Sequence, residues 1–116
     1  MKTTFYLLIL ILTCVICYSN HIPIGCGAFK LYEKGKAEIK RMFVKLEFRG
    51  KGIGFVILRE LESWASEFNF SECILETGKK QPEAIALYQK AGYKLMQNYG
   101  QYANIENSVC MSKSIS

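Results

Sequence analysis

Ile53, Ile57, Leu61, Trp64, Ala65 and Phe68 recur at the spacing of one helical face, the strongest periodic signal in the chain. The spacing predicts a helix over about 52–68. That helix opens directly out of a basic, glycine-studded stretch, Arg49-Gly50-Lys51-Gly52-Ile53-Gly54, which itself follows a strand-like segment. A strand that turns through glycines into a helix can present unpaired N–H groups and a positive dipole end to an anion. Glycine permits the sharp turn and the close approach of a ligand to the backbone. A dinucleotide fingerprint would need a further glycine where Phe55 or Ile57 stands, and a nucleoside-triphosphate loop would need Gly-Lys-Ser/Thr. Neither is present.

The flanking segments supply the rest of a sheet. IPIGCGAFKLYE (22–33) reads as extended, with Gly25 and Gly27 marking a bulge or a close backbone approach. AEIKRMFV (37–44) reads as a strand whose alternation puts Glu38, Lys40, Met42 and Val44 on one face and Ala37, Ile39, Arg41 and Phe43 on the other. SECILET (71–77) is a short apolar strand. PEAIALYQKA then begins with Pro82 at a first helical position and stops at Gly92. GYKLMQ and NSVCMSK add two strands around NYGQYANIEN (98–107), which reads equally as a solvated loop or as a pocket lining. With 116 residues, half of them hydrophobic, the chain is expected to form one domain over 1–116. The expected class is α/β or α+β, built on a single mixed, mainly antiparallel sheet with flanking helices.

Arg49, Gly52 and Gly54 fit the pattern R-x-x-G-x-G, and Ala84, Leu87, Tyr88, Lys90, Gly92 and Tyr93 fit A-x-x-L-Y-x-K-x-G-Y/F. In carrying both, in this order and separated by a helix and a strand, the chain resembles the GNAT family of acetyl-CoA-dependent N-acetyltransferases. The resemblance extends from about residue 14 to the end. It implies a GNAT-like fold lacking most of the first strand and two helices, with residues 1–13 an apolar segment whose place is open. It also implies an acyltransferase moving an acetyl group from acetyl-CoA to a primary amine of a small molecule or peptide. A shortened, non-catalytic module that binds coenzyme A or a partner is the alternative.

The resemblance assigns residues as well. The backbone of Met42, Phe43 and Val44 would pair with the pantetheine arm. The N–H groups of Gly50, Lys51, Gly52, Ile53 and Gly54 would hold the pyrophosphate, with Arg49 and Lys51 adding charge or standing as solvated loop cations. Gln81 stands where the family commonly has an asparagine that contacts the coenzyme, and can still donate and accept. An acceptor amine with a pKa of about 10.4 must lose a proton before it attacks. Glu38 is the candidate general base, against a reading as a surface residue paired with Lys40 or Lys36. Tyr88 is the candidate donor to the departing thiolate, against a reading as a core tyrosine.

No metal is called for: Cys14 and Cys17 form a C-x-x-C without a second pair or a nearby His, and five irregularly spaced cysteines suit a reducing compartment. The formal charge of +5 favours anionic partners, but the basic stretch from Lys34 to Lys51 carries no nucleic-acid-binding motif, so acetyl-CoA is preferred to nucleic acid or a membrane surface. MKTTFYLLILILTCVICYSN could be read as a signal segment, implying secretion or membrane association. Because the donor belongs to the cytoplasm, CVICYSN is instead expected to be a strand turning at Asn20-His21, with the preceding residues extending it or replacing the first strand. A sheet face left uncovered would favour a homodimer.

Overall fold

The computed structural model describes residues 2–9 and 12–116. Its order is β1 (Lys2–Ile9), β2 (Leu12–Ser19), β3 (Ile22–Glu33), β4 (Lys36–Val44), α1 (Ile53–Glu67), β5 (Glu72–Gly78), α2 (Pro82–Lys90), β6 (Lys94–Met96) and β7 (Ser108–Ser114). The strands form one sheet in the order β1-β2-β3-β4-β5-β7-β6, antiparallel except where β4 meets β5. Of the two outcomes open for the residues ahead of Cys14, the structure shows a separate edge strand, with Lys2 opposite Ser19 and Ile9 opposite Leu12. Asn20 and His21, both at positive φ, make the turn into β3.

Helix α1 lays Ile53, Ile57, Leu58, Leu61 and Ala65 on the sheet, where they meet Val15, Phe29, Ala37, Ile39, Cys73 and Leu75. The helical period therefore largely does what it predicts: one apolar stripe is buried and Arg59, Ser63, Ser66 and Glu67 face water, while Phe68, the last residue of the expected stripe, caps the helix and is half exposed. Gly25 and Gly27 of β3 let α1 come close. A Cβ on Gly25 would stand 2.9 Å from Ile57 Cδ1, and one on Gly27 2.9 Å from both Ile57 Cγ2 and Leu61 Cδ1.

Strand β4 departs from simple alternation. Its register against β3 slips between Cys26 and Ala28, and Arg41 on the bulged side adopts φ +57°. One extra residue reverses the facing of everything that follows. Met42 and Val44 thus pack on the same core as Ala37 and Ile39, and do not share the Glu38 face as strict alternation implies. Gly27 makes room for this, since a Cβ there would lie 2.6 Å from Met42 Sδ.

The bulge coincides with a fork. Strands β4 and β5 pair in parallel only at Lys36–Glu72, Ala37–Cys73 and Glu38–Ile74. Beyond Glu38 both strands continue without pairing to each other, and the rest of β4 offers backbone groups to the gap.

Candidate active site

Three elements converge on a cavity of about 640 Å³: the end of β4 beyond its pairing with β5, the start of α1, and α2. The turn into α1 is made by Gly50 at φ +76° and Gly52 at φ +80°, conformations that cost a residue with a Cβ roughly 1–2 kcal/mol. Gly52 is the N-cap, and the first intrahelical bond runs from the Val56 N–H to the Gly52 carbonyl. The N–H groups of Ile53, Gly54 and Phe55 therefore lie ahead of the helical ladder, at its positive end. The Arg49 side chain anchors the turn: its Nε donates to the Val44 carbonyl at 2.8 Å, and its guanidinium carbon lies 5.7 Å from the centre of the Phe43 ring. With Nε occupied, the terminal nitrogens remain available for an anion.

Across the cavity, α2 contributes Ala84, Leu87 and Tyr88, and its N-cap residue is Gln81. Tyr88 is only 7% exposed, its ring set edge-on to Tyr93 at 5.9 Å. Burial pushes its hydroxyl from 10.0 up to about 12, with no charged neighbour contributing. It remains a neutral donor throughout the working pH range.

Of the residues singled out from sequence, Met42, Phe43, Val44, Arg49, Gly50, Gly52, Ile53, Gly54, Gln81 and Tyr88 all border this one cavity. Lys51 stands outside its lining, with Nζ 5.6 Å from the centre of the Phe48 ring. Glu38 also lies outside the lining, at the vertex of the fork and on the face turned away from the helices. It is buried, 4% exposed, and so is not a surface strand residue. Its cationic neighbours are Lys40 at 3.9 Å and Lys30 at 4.0 Å, whereas Lys36 pairs with Glu33 and Glu72.

Lys90, a position of the second signature, also borders the cavity, and Phe48, Phe55 and Glu83 join the lining without a strong sequence signal. Phe48 sits in an isolated 3₁₀ turn and Phe55 off the apolar stripe of α1, so neither belongs to a period. Tyr99 is the larger omission: from the loop before β7 its hydroxyl donates to Glu38 Oε2 at 2.8 Å.

Tyr93, the last position of the second signature, is structural. Its hydroxyl donates to buried Glu62 Oε2 at 2.8 Å, and Lys113 Nζ reaches Oε1 of the same carboxylate at 2.8 Å. Desolvation, reinforced by neighbouring Cys73 and Glu62, holds the Tyr93 hydroxyl far above its ordinary range. The network ties α1 to β7 beneath α2.

Among the described residues, no group of three or more His, Cys, Asp or Glu side chains is arranged to hold a metal ion. No helix among them is long and apolar enough to cross a membrane.

Comparison with known proteins agrees with this architecture. The profile of the "Acetyltransferase (GNAT) family" matches residues 5–93. The chain belongs to that family. An IAA acetyltransferase of Azospirillum brasilense is 39% identical over 93 residues, covering 79% of this chain and 61% of that protein. A Klebsiella pneumoniae structure provisionally described as an acyl-CoA N-acyltransferase superposes with a TM-score of 0.86 at 33% identity, covering 90% of this chain and 73% of that one. The PaiA N-acetyltransferase of Thermoplasma acidophilum, solved with coenzyme A, superposes with a TM-score of 0.79 at 25% identity, covering 90% and 62% respectively. The chain thus spans about three fifths of the curated relative's length.

Proposed function

We propose that the chain binds acetyl-CoA in the cleft between β4 and α2 and transfers the acetyl group to a primary amine of a small molecule or peptide. The observation that carries this reading is the meeting of three features around one cavity: a strand end that pairs with β3 but has lost β5 on its other side, a helix N-terminus with free N–H groups, and a buried neutral tyrosine. The coenzyme A held by the Thermoplasma relative supports the choice of donor. The Met42–Val44 backbone would receive the pantetheine as an added strand. Gly50 to Gly54 would cradle the pyrophosphate, with Arg49 and Lys90 offsetting its charge and Gln81 donating from the opposite wall. Such chemistry belongs where coenzyme A thioesters occur, in the cytoplasm.

Glu38 takes one proton from the acceptor ammonium. The freed nitrogen bonds to the thioester carbon, and the C–S bond breaks with its electron pair on sulfur. The thiolate accepts a hydrogen bond from the Tyr88 hydroxyl and gains the second proton shed by the nitrogen as it becomes an amide. Full proton transfer from Tyr88 is disfavoured. With its hydroxyl at about 12 and a thiol near 8.5, the proton would move uphill by roughly 5 kcal/mol. Tyr88 therefore acts as a hydrogen-bond donor to developing charge.

The test is thiol release from acetyl-CoA with a panel of primary amines and peptides, alongside calorimetric acetyl-CoA binding. Tyr88→Phe should lower kcat by about 10²-fold while leaving acetyl-CoA affinity within a factor of about two. An unchanged kcat removes the role of Tyr88. Tight acetyl-CoA binding without release for any amine favours the second reading, a coenzyme-binding module, to which the deep burial of Glu38 lends its one specific support.

A further inference from the structure

The loop between β6 and β7 folds back over the face of the sheet opposite the helices and closes on Glu38. Tyr99 is its contact point, donating its hydroxyl to Oε2 at 2.8 Å. The ring is held on both sides: Tyr32 lies edge-on with centroids 5.0 Å apart, and Tyr102 edge-on at 5.6 Å. Gly100, at φ +52°, lets the loop press against β3, since a Cβ there would stand 3.1 Å from the Tyr32 hydroxyl oxygen. Lys40 Nζ donates to the Tyr102 hydroxyl at 3.4 Å and stands 3.9 Å from Oε2. Burial, with the hydrogen bond to Glu38 second, holds the Tyr99 hydroxyl far above its ordinary range and keeps it a donor.

The two carboxylate oxygens are consequently unlike. Oε2 is engaged by Tyr99 and faces Lys40. Among the described residues, Oε1 is approached only by Lys30 Nζ, at 4.0 Å and thus beyond hydrogen-bond range. Glu38 is also the last residue of β4 paired to β5, so its carboxylate stands where the fork opens.

We propose that Tyr99 is a positioning residue for Glu38. It fixes the rotation of the carboxylate so that Oε1 is left to receive the acceptor's proton, while Tyr32 and Tyr102 hold the Tyr99 ring in place. The inference rests on the reading of Glu38 as general base and adds a residue 61 positions away in the chain. A base works from hydrogen-bond reach of the proton it abstracts, directly or through one water, so a carboxylate free to rotate spends less time in the productive orientation.

The experiment is a double-mutant cycle on acetyl-CoA thiol release with the same amine panel, using Tyr99→Phe, Glu38→Gln and their combination. Tyr99→Phe keeps the ring and loses only the hydroxyl. It should lower kcat on the order of tenfold while the KM for acetyl-CoA stays constant, and the thermal midpoint should fall by a few degrees because a buried carboxylate loses a hydrogen bond. Glu38→Gln should cost more, and the double variant should match Glu38→Gln alone, because nothing remains to be positioned. An unchanged kcat in Tyr99→Phe, or an equal loss with and without the carboxylate, overturns the role of Tyr99 and spares the base. Wild-type kcat in Glu38→Gln, or no thiol release with any amine, overturns the base and this inference with it. Should Tyr99→Phe unfold, 3-fluorotyrosine placed at position 99 makes the hydroxyl more acidic with only a small change in ring size, and a kcat that does not respond to it counts against the proposal.

Discussion

A methyl group added to Gly54 would stand 3.2 Å from Leu87 Cδ2, so the last glycine of the turn and a leucine of α2 are in contact across the cavity. Two sequence motifs that lie a strand apart in the chain are thus a single packed contact. Gly54 is the second residue of α1, where the helix itself accepts alanine at least as well as glycine. Leu87 can relieve the new contact only by moving, and it lines the cavity. Gly54→Ala should therefore leave the thermal midpoint unchanged or higher, yet weaken acetyl-CoA binding by about tenfold in calorimetry. Equal affinity in the two proteins would show that Leu87 yields without narrowing the site.

The Arg49 guanidinium joins the turn to β4 through Val44 and also faces the cavity. Arg49→Glu should weaken acetyl-CoA binding on the order of tenfold at low ionic strength, where screening reaches roughly 30 Å. The loss should be smaller near physiological salt, where it reaches about 8 Å. Titrations at two salt concentrations that give the same ratio between variant and wild type would assign Arg49 to anchoring alone.

Glu62 is buried between Tyr93 and Lys113. Lys113→Met leaves the carboxylate without its cation and should cost about 3 kcal/mol in denaturant unfolding. Adding Glu62→Leu should recover most of that loss, because the pair's attraction is largely spent on desolvating both charges. A double variant no more stable than Lys113→Met would mean that the Tyr93 bond, not the charge, dominates.

Alkaline pH should destabilise the fold in two stages. Desolvation pushes the Cys73 thiol from 9.0 to about 12, with nearby Glu62 adding to it, and pushes Tyr88 from 10.0 to about 12. Both folded values are raised, so this stability is fully present below about pH 9 and is lost as pH rises toward 12. Each proton contributes a limiting slope of about 1.4 kcal/mol per pH unit. Tyr93 and Tyr99, also raised, add to the slope above about pH 10. Cys26 and Cys110, also raised by desolvation, add to the segment that begins near pH 9, so denaturant unfolding across this range should show Tyr88→Phe flattening the segment above about pH 10 and leaving the cysteine segment below it intact. A flat wild-type profile from pH 9 to 11 would contradict the assignment.

Helix α1, the glycine turn and the second signature were legible in the residues themselves because each depends on local rules. A 3.6-residue period, a positive-φ glycine and a proline at a helix start act within a few residues of one another. The family follows from the same stretches. The facing of β4 was not legible, because alternation holds only while strand pairing is regular. The bulge at Arg41 turns Met42 toward the core, and Gly27, on the neighbouring strand, leaves the space that Met42 then fills. Nor do the residues around Glu38 reveal that it is buried beneath Tyr99, or that Glu62 awaits Lys113 from 51 positions away. Local rules along the chain place the turn, the helices and most of the strands. Which side chains share a face or a buried charge is set by packing, because it depends on surfaces brought together from distant parts of the chain.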